Sequence, residues 1–244
     1  MKQTQIIMGM PVTLEITGQS EQAPFDEVFG YFRSVDERFS PYKKDSELSE
    51  LNRGLDESRW SQDMREVMRL CEDTKKSSGG YFDIKSPDGT IDTSGLVKGW
   101  AIDKAAKLLK SRGLDDFYIE AGGDIQAEGK NAEGEPWLVG IRNPFDINEI
   151  VKVIRVSGQG VATSGTYIRG QHIYNPHKGS GAEGPASLTV IAPDILEADR
   201  FATAAFAMGE NGIGFIGALP GFSGYMITNN KHATYTSTFE YYVS

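Results

Sequence analysis

The sequence predicts an α+β fold. Apolar residues recur at helical spacing in some segments and alternate at strand spacing in others. The two kinds follow one another irregularly, without the regular alternation that winds a parallel sheet. At 244 residues the chain is long enough for one large domain with its own hydrophobic core. No repeat, linker or low-complexity tract divides it, so one domain over residues 1–244 is the economical reading.

Val12, Leu14 and Ile16 alternate with Thr13 and Glu15, the period of a half-buried strand. Over residues 23–39, Phe25, Val28, Phe29, Phe32, Val35 and Phe39 fall on one helical face. Residues 40–54 are polar and turn-rich, a loop with one short helical turn. A second helix is expected over 62–77, with Met64, Val67, Met68 and Cys71 inward. The glycine-rich run 79–99 reads as mostly irregular and feeds a helix over about 98–112, ended by Gly113. Residues 116–127 read as a strand broken by a Gly-Gly kink, followed by strands near 136–142, 150–157, 161–174 and 186–192. A helix at 194–208 and a shorter one near 210–218 lead to a terminal hairpin, 223–229 and 232–243, turning at Asn229-Asn230-Lys231.

Composition narrows the function classes. Twenty-five basic against 34 acidic residues leave a formal charge of −9, without the basic footprint of a general nucleic-acid binder. The single cysteine, Cys71, permits neither an intrachain disulfide nor a thiolate metal cage. The N-terminal residues alternate and carry no signal-peptide core or lipobox, and no stretch is apolar enough to span a bilayer. The expectation is a soluble cytoplasmic protein. The 28 glycines suggest tight turns or close backbone approach to a ligand.

Four constellations could carry chemistry. Asp92-Thr-Ser-Gly-Leu-Val-Lys98-Gly99 is a turn entering a helix whose first turn holds a lysine. Outward N–H groups and an ammonium suit a phosphate, although a solvated turn would look the same and the P-loop pattern is absent. Asp199 and Thr203, four apart on a helix, present a carboxylate and a hydroxyl on one face. These are hard oxygen ligands for Mg²⁺, or else a surface Asp and a Thr bonded to its own turn. His172, at a strand end before the Asn175-Pro176 turn, is either a general base or a locally satisfied imidazole, and His177 lies exposed in the turn. In Glu120-Ala-Gly-Gly-Asp124 the glycines permit either close approach or a simple bulge. Tyr42 and Tyr81-Phe82-Asp83 place rings in polar loops, for stacking or for anchoring.

The order of the blocks is more specific than any one of them. Met8-Gly9, FSPYKKDSELSELN at 39–52, YFD at 81–83, DTSGLVKGWAID at 92–103 and EAGGDIQAEG at 120–129 are followed by VATSGTY, HIYNPHKG and EADRFATAAFAMG at 197–209. In this order they resemble the FAD:protein FMN transferases, the ApbE family, from Met8 to about Gly209. The resemblance implies a single α+β domain with a mixed, largely antiparallel sheet and packed helices. It implies Mg²⁺-dependent transfer of FMN from FAD to a Thr or Ser hydroxyl of an acceptor flavoprotein with an FMN-binding domain, releasing AMP. The acidic balance adds the expectation of no nucleic-acid partner. Met8, Tyr42, Tyr81, Phe82, Asp83, Asp92, Lys98 and Ile173 would then touch FAD. The Gly95 carbonyl, Asp199 and Thr203 would hold Mg²⁺, and His172 would be the base. Two positions depart from the pattern: Asn175 stands where many relatives carry Asp, and Ala202 where some carry a further Asp. The competing readings are a Mg²⁺-dependent FAD pyrophosphohydrolase and a non-catalytic FAD carrier.

Overall fold

The computed structural model describes residues 1–86, 88–166 and 173–244. An eight-stranded sheet forms its centre, in the order β1-β2-β3-β4-β7-β10-β11-β12, antiparallel at every pairing among the described strands. In chain order these are β1 (Lys2–Ile7), β2 (Met10–Ile16), β3 (Phe117–Ala121), β4 (Asp124–Glu128), β7 (Gly160–Gly165), β10 (Pro185–Ala192), β11 (Ser223–Thr228) and β12 (Ala233–Tyr235). Two further strands, β5 (Trp137–Asn143) and β6 (Asp146–Val156), form a separate hairpin, and β8 (Tyr174–Asn175) pairs with β9 (Ser180–Gly181).

Helices cover one face of the sheet. They are α1 (Ala23–Phe39), α2 (Glu47–Asn52), α3 (Gln62–Ser77), α4 (Ser94–Ser111), α5 (Ile195–Ala207) and α6 (Gly212–Ala218). The six apolar residues assigned to the face of α1 are all buried, and Phe39 packs edge-on against Trp100 of α4. Among the described residues no helix is long and apolar enough to cross a membrane. The opposite face is covered by the β5–β6 hairpin and the C-terminal turn at Phe239–Tyr242. Strand alternation feeds both cores: Leu188 and Val190 of β10 face the helices, while Ile191 joins Trp137, Val139, Ile154 and Phe239 on the other side. A strand buried on both faces reads as a continuous apolar run, and every residue of β10 is buried.

Four elements depart from the sequence reading. β1 extends the N-terminal strand into a hairpin whose two turn residues, Met8 and Gly9, both have positive φ. Gly122 and Gly123, also both positive in φ, are the two-residue turn of the β3–β4 hairpin and not a kink within one strand. Helix α4 starts at Ser94 rather than near 98, so Gly95 joins Lys98 in the helix instead of lying in the preceding irregular segment. The expected strand 232–243 stops at Tyr235. The Thr238 hydroxyl donates to the Phe222 carbonyl at 3.2 Å and bonds Ser223 Oγ at 2.6 Å, which curls the chain into a 3₁₀ turn.

Candidate functional site

Helices α4 and α5 cross at unusually close range. A Cβ on Gly99 would lie 2.6 Å from Asp199 Cβ and 2.8 Å from the Ile195 carbonyl, so only glycine admits this approach. The start of α5 is pinned to the sheet in the same way. A Cβ on Gly160 of β7 would strike the Ile195 amide, and that amide donates to Gln126 Oε1 of β4 at 2.9 Å. Asp194 caps the helix by accepting from the Glu197 N–H at 2.9 Å.

This crossing brings the expected oxygen ligands together. The Gly99 N–H donates to Asp199 Oδ2 at 2.8 Å, and the Gly95 carbonyl accepts from the Thr203 hydroxyl at 3.3 Å. Asp199 is buried, and burial pushes its carboxyl above the usual range, with Lys98 pulling it down and Asp124 pushing it further up. Carbonyl, hydroxyl and carboxylate are all hard oxygen donors, the set Mg²⁺ prefers. Two cis ligands on an octahedral ion with bonds near 2.1 Å lie about 3 Å apart, close to the Gly95–Thr203 separation. The residues present therefore fit such an ion. No cluster of three or more His, Cys, Asp or Glu suited to a metal occurs among the described residues, so a cation site here depends on the backbone and hydroxyl donors.

A cleft opens above this crossing. Its walls include Tyr81, Phe82, Asp83, Asp92, Gly95, Lys98, Ile173, Asp199 and Thr203, nine of the positions expected from the sequence, together with Gly122 and Thr163–Gly165 at one end of the sheet. Asp92 Oδ1 accepts the Ser94 N–H at 2.8 Å and so shapes the start of α4. The preceding backbone is clamped by Asn52, whose amide donates to the Ile91 carbonyl at 2.9 Å and accepts its N–H at 2.8 Å. Asp83 pairs with Lys75 at 2.8 Å, and the Tyr81 ring packs on the His177 imidazole at 4.4 Å. His177 is exposed as expected, yet its Nε2 also meets the Gly79 carbonyl at 3.0 Å.

Two expected FAD contacts are not part of the cleft wall. Tyr42 is almost fully exposed. Met8 is half-buried in the β1–β2 turn, at the same sheet end as Gly122, whose N–H donates to the Pro11 carbonyl at 3.2 Å. His172 lies outside the described residues, although its neighbour Ile173 lines the cleft.

The two departures from the resemblance find local reasons. Asn175 is buried, donates its amide to the Ala207 carbonyl at 2.9 Å and accepts from the His177 and Lys178 N–H groups. An aspartate could not donate to that carbonyl. Ala202 is wholly buried in the core and is not among the cleft residues. A carboxylate the sequence reading did not assign also belongs here. Asp124, at the start of β4, meets Lys98 Nζ at 2.7 Å and accepts the Thr163 N–H at 3.2 Å.

A sequence model of the ApbE family matches residues 8–88 and 85–225, nearly the whole chain. The chain belongs to the ApbE family. The FAD:protein FMN transferase of Escherichia coli (strain K12) is 34% identical over 158 residues, covering 61% of this chain and 45% of the relative. The chain thus spans about half the length of that curated relative in the matched region. The FAD:protein FMN transferase of Haemophilus influenzae is 27% identical over 261 residues, covering 80% and 75%. Among solved structures, the flavin transferase ApbE from Vibrio cholerae superposes with a TM-score of 0.88 at 22% identity, covering 99% of this chain and 98% of that one. The Pseudomonas stutzeri flavinyl transferase ApbE gives 0.85 at 23% identity, covering 99% and 95%. These two likenesses establish the α+β ApbE fold.

Proposed function

We propose that this chain transfers the FMN half of FAD to a threonine or serine hydroxyl of an acceptor flavoprotein and releases AMP. Membership of the ApbE family supports the reading. The observation that carries it is that the Gly95 carbonyl, which bonds the Thr203 hydroxyl, lines one cleft with the Asp199 carboxylate and Lys98. That arrangement suits a diphosphate held with a divalent cation. The acceptor oxygen would form a bond to the FMN phosphorus as the bond from that phosphorus to the bridging oxygen breaks. AMP leaves with the bridging oxygen, and the hydroxyl proton passes to His172.

Gly95, Asp199 and Thr203 would hold Mg²⁺, which when bound supplies charge neutralisation to the diphosphate. Lys98 adds a positive charge at the same wall. Tyr81, Phe82 and Ile173 offer apolar and aromatic surface for the flavin or adenine ring, with Met8 and Tyr42 as outlying contacts. Asp83 and Asp92 hold the two loops that form the cleft wall. A threonine hydroxyl is a weak nucleophile at neutral pH, and a positioned base is worth about 10²–10⁴-fold.

The test is product stoichiometry with FAD, Mg²⁺ and an FMN-binding acceptor domain. One AMP released per flavin bound to the acceptor is expected, and His172→Ala should lower that rate by about 10²–10⁴-fold while FAD still binds. AMP and free FMN in equal amounts would make the chain a hydrolase. FAD bound without either product would make it a carrier. Transfer at an unchanged rate in the variant would remove His172 as the base.

A further inference from the structure

We infer that Asp124 is a positioning residue that keeps the Lys98 ammonium off the cation ligand Asp199. The inference rests on the reading that Gly95, Asp199 and Thr203 take a divalent cation. Lys98 follows Gly95 by three residues on α4 and lines the same cleft as Asp199, whose carboxyl the Lys98 charge pulls down while Asp124 pushes it up. An ammonium and a metal ion compete for the same carboxylate, so a lysine this close would oppose cation binding unless another anion held it. Asp124 is that anion. Its Oδ2 meets Lys98 Nζ at 2.7 Å, its Oδ1 accepts the Thr163 N–H at 3.2 Å, and it is 1% exposed. The Gly122–Gly123 turn fixes where it stands, because β4 begins at Asp124 directly opposite Ala121. Held from two sides, the carboxylate has little freedom to follow the lysine elsewhere. Lys98 is thereby kept at the cleft wall, where a diphosphate would meet it, and Asp199, with one oxygen on the Gly99 N–H, keeps its other oxygen for the ion.

The mechanism separates from a simple charge effect by a double-mutant cycle. Mg²⁺ alone is titrated calorimetrically into the full chain, without FAD or acceptor, for the wild type, Asp124→Asn, Lys98→Met and the double variant. Asp124→Asn is expected to weaken Mg²⁺ binding about 10–100-fold, the usual cost of removing a partner that supports a metal site. In the Lys98→Met background the same substitution is expected to cost less than about threefold, because no ammonium remains to be displaced onto Asp199. Equal losses in both backgrounds would mean that Asp124 acts only through its own charge, and would overturn the inference. No loss in either background would overturn it as well. Asp124→Ser, which keeps a hydroxyl for the Thr163 amide, replaces the Asn variant if that does not fold. Failure of both to fold would make Asp124 a structural counter-ion and also overturn it. A wild type that binds no Mg²⁺ would fail the cation reading itself, an outcome distinct from all of these.

Discussion

Met8 holds φ at +55°, in the left-handed region, beside Gly9 at +71°. A side chain there costs about 1–2 kcal/mol, and two-residue hairpin turns of this type favour Asn-Gly. Met8→Asn should therefore raise the thermal midpoint by about 2–4 °C. If Met8 also touches FAD, the same variant should raise the KM for FAD; a lowered midpoint would show that the turn is relaxed with methionine. Asp199→Ala removes the carboxylate proposed to hold the cation and should flatten the Mg²⁺ dependence of turnover, whereas an unchanged metal titration would remove Asp199 from the site. Asp199 and Thr203 were legible in the sequence because i, i+4 spacing places them on one helical face whatever lies around them. Gly95 entered only through the resemblance, since a backbone carbonyl has no side-chain signature. Asp124 was half-legible. Its Gly-Gly neighbours signalled close approach, but the partner it holds is on another element, and nothing in the local pattern pairs it with Lys98.

At the scale of elements, the helices followed their apolar periodicity and their caps. Ser61 accepts the Met64 N–H at 3.1 Å where α3 begins, and Asp194 does the same work for α5. The β3–β4 turn was misread because two glycines inside an apolar run suit both a bulge and a tight hairpin, and only the pairing of Ala121 with Asp124 decides between them. The sequence did not show that α4 is what crosses α5, since Gly99 looks like any helical glycine until Asp199 is packed against it. Gly99→Ala should push these helices apart, lowering stability by about 1–3 kcal/mol and weakening Mg²⁺ binding together. Denaturation with a parallel cation titration checks this. Loss of stability with undiminished cation affinity would show that the crossing and the ligand cluster are independent.

At the scale of the molecule, the sheet carries two cores, and the site belongs to the helical one. The sequence located the apolar strand residues without saying which face each would meet, because alternation fixes sides only relative to each other. The β5–β6 hairpin and Phe239 close the second face, far along the chain from the cleft residues of α4. Phe239→Ala should destabilise the fold by about 3–5 kcal/mol. Measured well below the melting transition, it should leave Mg²⁺ affinity unchanged; a matching loss of affinity would mean that the second core also supports the site. The claim that joins the scales is that this cleft moves FMN onto another protein. The most direct measurement is the intact mass of an FMN-binding acceptor domain after incubation with this chain, FAD and Mg²⁺. A gain of one FMN, absent without Mg²⁺ and lost on replacing the acceptor threonine or serine, is the expected result. An acceptor of unchanged mass, with FMN and AMP accumulating in solution, would contradict it.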